Sequence, residues 1–316
     1  MSDIIVTRAP TRIDFGGGWT DVPPYSDEMG GFVCNVAIAR YATVTLRRGA
    51  VDDVAPTSAA DRAIVDAATR RLGVSDASIS VASDFPIGAG LGGSSAAGVA
   101  TVAALNLARG ETLERSAMAE LSRDIEIEDV GIAGGRQDHY AAAYGGALGL
   151  RFGASRVEVS RIPLADALRR ELERRCVVVY TGQSRISGDT IDAVLGAYRD
   201  RDPRVLDALA GMRAGAAAMA RAMSDGSVDQ LASLVAEQWT FQRSLHPAIP
   251  TPLIDEIIER ANAAGAAGAK ALGASGGGCV LAIAAAGRDD AVRRAVEPLG
   301  VLLDFAIDEQ GVTRCP

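Results

Sequence analysis

Pro86-Ile87-Gly88-Ala89-Gly90-Leu91-Gly92-Gly93-Ser94-Ser95-Ala96-Ala97 sets four glycines and two serines between a strand-like segment and an alanine-rich apolar segment that reads as a helix. Glycine lacks a Cβ, so such a loop can take left-handed backbone angles and approach a ligand closely. The first amides of the helix that follows point outward, unpaired, at the positive end of its dipole. That combination makes an anion site, and phosphate is the usual anion. No Lys follows the glycines, so the loop is not the G-x-x-x-x-G-K-[ST] P-loop.

Working outward, Ile79 and Val81 alternate with polar residues in the strand that leads into the loop. Ser94 to Ala108 reads as a helix so uniformly small and apolar that it must be buried, and Leu113 to Ile127 reads as a second one. Upstream, Ile4 to Ala9, Phe32 to Ile38 and Tyr41 to Leu46 read as three strands. Ser58 to Leu72 is a helix with a capping-box start at Ser58 and Asp61. Downstream, Cys176 to Tyr180 is a buried strand, Arg204 to about Arg243 is helical, and Thr251 to Ala264 is an amphipathic helix. Val280 to Ala284 and Val301 to Ile307 read as strands around a helix over Asp289 to Glu297. The class is α/β in the broad, α+β sense, without regular βαβ alternation.

The chain has 316 residues, 48% hydrophobic and 23% charged, which is ordinary for a globular protein but long for one core. A change of texture across residues 153 to 175 divides it into two expected domains, 1–160 and 161–316. A net charge of −8 excludes a general nucleic-acid binder, which would show a basic stripe. Four cysteines, Cys34, Cys176, Cys279 and Cys315, stand singly and suggest neither a zinc site nor a disulfide framework. The opening Met-Ser-Asp-Ile-Ile-Val-Thr-Arg does not read as a signal peptide, and no apolar run reaches a membrane-spanning length of about 18 residues. A cytoplasmic protein with a small-molecule substrate, no membrane and no nucleic acid is the expectation, as a monomer or homodimer.

One glycine loop alone is a weak signal. Here Phe15 to Asp21 and Leu272 to Gly278 are glycine-rich as well. In this order the three segments resemble the GHMP kinases, the superfamily of galactokinase, homoserine kinase, mevalonate kinase and phosphomevalonate kinase. Arg12-Ile13-Asp14-Phe15-Gly16-Gly17-Gly18-Trp19-Thr20-Asp21 looks like motif one, Pro86 to Ala97 like motif two, and Gly273 to Gly278 like motif three. Within the superfamily the sugar-1-kinase branch is most similar, including heptose 7-phosphate kinases and L-fucokinases. Gly135-Arg136-Gln137-Asp138-His139-Tyr140-Ala141-Ala142-Ala143-Tyr144-Gly145-Gly146 follows that branch's G-x-Q-D-Q-Y-A-A-x-x-G-G, with His139 in place of the second Gln. Tyr180 to Arg185 follows its Y-T-G-x-S-R. Gly18 and Trp19 replace the Glu-His pair of galactokinase, which argues against galactose.

The resemblance implies a ribosomal-protein-like N-terminal domain, a ferredoxin-like C-terminal domain and an active site between them. It implies ATP and Mg²⁺, with Gly88, Gly90, Gly92, Gly93, Ser94, Ser95 and Ala96 at the phosphates. Ser95, with Ser94 as the fallback, and Glu126 would ligate the metal, Glu126 standing 138 − 126 = 12 residues before Asp138, with Glu128 as the alternative. Both offer the oxygen that a hard cation prefers. Asp138 would be the catalytic base, held ionised by Arg12. Gly18, Trp19, Asp21, Arg136, Asp138, Tyr140, Arg185, Gly276 and Gly277 would line the acceptor, with arginine suited to a substrate phosphate. His139 and His246 have no motif partner and are assigned no metal. The implied reaction is phosphoryl transfer to the anomeric hydroxyl of D-glycero-D-manno-heptose 7-phosphate. L-fucose-like free sugars and a C7-cyclitol phosphate are alternatives, and a non-enzymatic nucleotide or sugar sensor is the reading from another class.

Overall fold

The computed structural model describes residues 4–49, 57–132, 134–154, 156–183 and 188–316. Strand β1 (Ile4–Gly16) pairs antiparallel with β2 (Gly31–Arg48), and a short helix, α1 (Tyr25–Met29), lies between them in sequence. The two strands expected at residues 32–46 are one long strand. Its pairing passes from Thr11↔Ile38 to Pro10↔Tyr41, so Ala39 and Arg40 form a bulge opposite Pro10. Proline has no N–H for the ladder, and a bulge is where a sheet tolerates it.

After α2 (Ala59–Leu72), β3 (Ala77–Ser83) pairs with the far half of β2. Ser58 Oγ accepts the Asp61 amide at 3.1 Å, which starts α2 where the capping pattern put it. The quoted loop then runs into α3 (Gly93–Arg109), α4 (Arg115–Asp124) and α5 (Gln137–Tyr144). Between α4 and α5 the helix expected through Ile127 gives way to a π-helical turn, Ile125–Asp129. β4 (Ala147–Phe152) pairs with the near half of β2, and β5 (Val157–Ile162) pairs with β4. Val44, Leu46, Ile79, Val81, Leu148 and Leu150 from the sheet meet Val99, Val102 and Leu105 from α3 in one core. The small side chains of α3 let it lie close on the sheet, and Thr7 Oγ1 donates to the Ala100 carbonyl at 2.8 Å.

The second half continues with α6 (Asp166–Arg175), β6 (Cys176–Tyr180), α7 (Gly188–Arg199), α8 (Pro203–Ser224), α9 (Val228–Ser244) and α10 (Pro252–Ala264). β7 (Ala266–Ala271), β8 (Cys279–Ala284), α11 (Asp289–Val296) and β9 (Val301–Leu302) follow. Four strands form a second sheet in the order β7-β8-β6-β9. The long helical stretch divides at Gly226, and Ser227 caps α9 by accepting the Gln230 amide at 3.3 Å. The strand expected at 301–307 shortens to Val301–Leu302, after which Ile307 bridges to Ile38 of the first sheet. β10 (Thr313–Arg314) returns to pair with β1. The residue 160/161 division falls inside β5.

One apolar cluster joins the halves. It gathers Ile13, Phe15 and Val36 of the first sheet, Ala89 and Leu91 of the glycine loop, and Met219, Leu272 and Leu281 of the second half. Among the described residues no helix is long and apolar enough to cross a membrane.

Candidate active site

The loop ahead of α3 has the geometry that its glycines suggest. Gly88, Gly90 and Gly92 all have φ between 72° and 77°. Gly92 caps α3 with its backbone alone, so no side chain occupies the amides of the first turn. The first helical bond runs from the Ala96 amide to the Gly92 carbonyl at 3.0 Å, which leaves the amides of Gly93, Ser94 and Ser95 for a ligand. A Cβ on Gly92 would stand 2.9 Å from Asp138 Cγ, so only glycine lets the loop lie on that carboxylate. The third glycine segment braces the loop from the other half. The Cys279 amide donates to the Ala89 carbonyl at 2.8 Å, and a Cβ on Gly90 would meet the Leu272 carbonyl oxygen at 2.8 Å. Gly276 is tied to the Ile249 carbonyl at 3.0 Å. Gly278, two residues on, packs against the loop, where a Cβ would meet the Ala89 carbonyl oxygen at 2.9 Å.

Beneath the loop, Arg12 grips Asp138 with two bonds, Nε to Oδ1 at 2.8 Å and Nη2 to Oδ2 at 3.0 Å. Its Nη1 donates to the Gly90 carbonyl at 2.6 Å. One guanidinium therefore orients both the candidate base and the phosphate loop. The Asp138 side chain remains 23% exposed, the opening that a substrate hydroxyl needs. Burial, against the pull of Arg12 and His139, pushes its carboxyl above the usual carboxylate range. A carboxylate raised in this way is a better proton acceptor.

The π-helical turn gives the two glutamates different surroundings. It turns Glu126 inward and Glu128 outward, where Glu128 pairs with Arg71 at 3.1 Å and is 56% exposed. Glu126 is buried and accepts Ser95 Oγ at 3.1 Å. Burial pushes its carboxyl up, but His139, Ser94 and Ser95 together outweigh burial and hold it below the usual range. A serine hydroxyl and an ionised carboxylate touching at the mouth of an anion cradle fit Mg²⁺. That ion takes one or two protein oxygens and completes its shell with phosphate and water. No cluster of three or more His, Cys, Asp or Glu that could hold a metal occurs among the described residues.

Asp21 is buried beside Asp138, and its Oδ2 accepts the Gln137 amide at 2.9 Å. Gly135 packs directly on its carboxyl, where a Cβ would collide. Burial, reinforced by Asp138 and Asp14, pushes Asp21 up to about 7. A Cβ on Gly18 would press on Asp14 and Gln137, so Gly18 too belongs to this wall. Trp19 holds φ at 80°, unusual for a bulky residue, and packs with Tyr25 in the core of the second half. Arg136 is 8% exposed; its Nη1 makes one long bond to the Gly153 carbonyl at 3.3 Å, and its Nε is buried without a partner.

The structure does not bring every expected residue to the site. Tyr140 sits in the first core, stacked on Tyr144, with its hydroxyl donating to Glu120 at 2.6 Å. On α5 it lies about 200° around the helix from Asp138 and faces away from the acceptor pocket. Arg185 lies outside the described residues. Sequence reasoning missed Lys270, whose Nζ donates to Asp14 at 3.0 Å and joins β7 to β1 across the two halves with both side chains buried. Its signal was hidden in Ala266–Ala271, whose composition does not read as a strand. His139, assigned no metal for want of a motif partner, lies 2.8 Å from Glu126 Oε2 and 3.0 Å from Ser122 Oγ.

Comparison with known proteins places this geometry. The GHMP kinases N terminal domain matches residues 59–146, and the GHMP kinases C terminal domain matches residues 216–299. The D-glycero-alpha-D-manno-heptose 7-phosphate kinase of Campylobacter jejuni is 28% identical over 98% of both chains. The bifunctional fucokinase/GDP-fucose pyrophosphorylase of Arabidopsis thaliana is 27% identical over 87% of this chain, which spans only 29% of that longer protein. A D-glycero-D-manno-heptose 1-phosphate kinase structure from Bacteroides thetaiotaomicron superposes with a TM-score of 0.79 at 23% identity, covering 99% of each chain. With both family domains matched in order, and the glycine loop and Asp138 inside the first match, the chain belongs to the GHMP kinases and is an ATP-dependent sugar kinase.

Proposed function

We propose that the enzyme transfers the γ-phosphoryl of ATP to the anomeric hydroxyl of D-glycero-D-manno-heptose 7-phosphate, in the presence of Mg²⁺. The observation that carries the transfer is Asp138, gripped by Arg12 directly under the anion cradle. Asp138 accepts the proton of the attacking hydroxyl, the oxygen bonds to the γ-phosphorus, and the bond from that phosphorus to ADP breaks. The amides at the start of α3 and the Arg12 guanidinium stabilise the spreading negative charge. Mg²⁺, held by Ser95 and Glu126, would neutralise charge on the phosphate oxygens. Asp21 binds acceptor hydroxyls. The half-partnered Arg136 supports an acceptor that carries a phosphate, because a buried guanidinium with an unpaired donor is completed by an anion. The cysteines among the described residues are all free, which supports a reducing, cytoplasmic setting.

One acceptor panel tests this reading: heptose 7-phosphate, L-fucose, galactose and mannose, with products located by phosphorus NMR. Heptose 7-phosphate should be phosphorylated at the anomeric oxygen with the highest kcat/KM. Asp138→Asn should abolish turnover and keep nucleotide binding. Arg136→Ala should raise KM for the phosphorylated acceptor at least about tenfold, the scale of one lost charge-assisted contact. Preference for free L-fucose with an indifferent Arg136→Ala variant would replace the substrate assignment by a fucokinase-like one. Full turnover in Asp138→Asn would remove the base.

A further inference from the structure

His139 follows Asp138 on α5 but has no part in the chemistry above, and it is 1% exposed. Its two ring nitrogens meet two different elements. Nδ1 lies 3.0 Å from Ser122 Oγ, in the last turn of α4. Nε2 lies 2.8 Å from Glu126 Oε2, in the π-helical turn, a close contact that lacks hydrogen-bond geometry. Ser95 donates to the same Oε2 from the start of α3. A carboxylate only accepts, so any bond across that contact is donated by the Nε2 N–H, while Nδ1 faces the Ser122 hydroxyl. Ser122, His139, Glu126 and Ser95 thus form a buried chain across four elements that ends at the phosphate loop. Such a run of contacts restricts the rotamer of its carboxylate, which Ser95 holds by a hydrogen bond and His139 meets at 2.8 Å.

We propose that His139 is a positioning residue of the phosphoryl-transfer site: backed by Ser122, it aims the Glu126 carboxylate at the metal of the nucleotide complex. The proposal rests on the reading of Glu126 as a metal ligand. It makes α5 a common mount, with Asp138 at one position for the base and His139 at the next for the metal carboxylate. Without His139, Glu126 keeps its charge but loses its aim. The loss then falls on metal affinity and leaves nucleotide affinity alone.

The test measures Mn²⁺ affinity of the enzyme–ADP complex by electron paramagnetic resonance, ADP affinity in EDTA by calorimetry, and the KM for Mg²⁺. His139→Leu should weaken Mn²⁺ binding about 10- to 100-fold, the usual effect of losing a residue that orients a ligand. Its ADP affinity in EDTA should match the parent's. His139→Gln keeps an N–H donor and should recover most of the loss, and Ser122→Ala should show a smaller loss in the same direction. Parental Mn²⁺ affinity in His139→Leu, or an equal loss of ADP binding in EDTA, would overturn the proposal. If that variant does not fold, parental Mn²⁺ affinity in Ser122→Ala overturns it instead. Glu126→Gln separates the two levels. Parental Mn²⁺ affinity there removes the metal reading itself, whereas a loss there with none in His139→Leu removes only the role of His139.

Discussion

Asp21 is 1% exposed, and burial together with the nearby Asp138 and Asp14 raises its carboxyl to about 7 despite the Gln137 amide. The folded chain therefore binds this proton more tightly than the unfolded chain does. The stability that this contributes is fully present below the unfolded value of 3.8 and is lost as pH rises through about 7. Asn at this position keeps an acceptor for the Gln137 amide and carries no charge. Asp21→Asn should therefore raise Tm over the parent more at pH 8 than at pH 5, while weakening acceptor binding. A Tm difference that is flat with pH, read by calorimetry, would show that Asp21 is not the group under strain. Strain of this kind is retained where function needs a charge near another charge. At this scale the sequence was informative wherever a chemical residue stood in a motif. Arg12 bonds Asp138, and Ser95 bonds Glu126, all residues singled out through the resemblance to the family's motifs. Tyr140 stood in the same motif and is core, because a motif records residue order and not helical phase.

At the scale of elements, the quoted loop and α3 were legible because glycine and small apolar residues have few other uses in such density. The π-helical turn was not. An extra residue in a helix leaves no mark on composition, yet this one decides that Glu126 faces in and Glu128 faces out. β7 was equally hidden, since alanine and glycine have low strand preference, and pairing with β8 overrides it. The loop itself carries a sharp expectation. In Gly92→Ala the new Cβ would meet Asp138 at 2.9 Å in a left-handed backbone with φ of 77°. Either the loop or the carboxylate must move. A shift of an ångström at reacting groups costs about 100-fold in rate, so kcat should fall by that order while the fold survives. Steady-state kinetics beside a Tm measurement check this, and an unchanged kcat would show that the loop has slack.

Across the whole molecule, the two halves meet through a shared apolar cluster and the buried pair Lys270–Asp14. Burial pulls the Lys270 amine below its usual range, while Asp14 acts the other way. Removing only one partner leaves a buried charge alone, so Lys270→Met should destabilise the protein by about 3–5 kcal/mol in chemical denaturation. Asp14→Asn added to it should restore part of that loss. Additive losses in the double variant would mean that the two side chains do not act as a pair. Another long-range tie is the two-residue strand β10. Thr313 and Arg314 close the edge of β1 beside Arg8 and Thr7. On the ribosome β1 emerges long before β10. Until β10 emerges, the nascent chain carries an open edge at Thr7 and Arg8 of the strand that bears Arg12, a stretch that other nascent chains can pair with before β10 arrives.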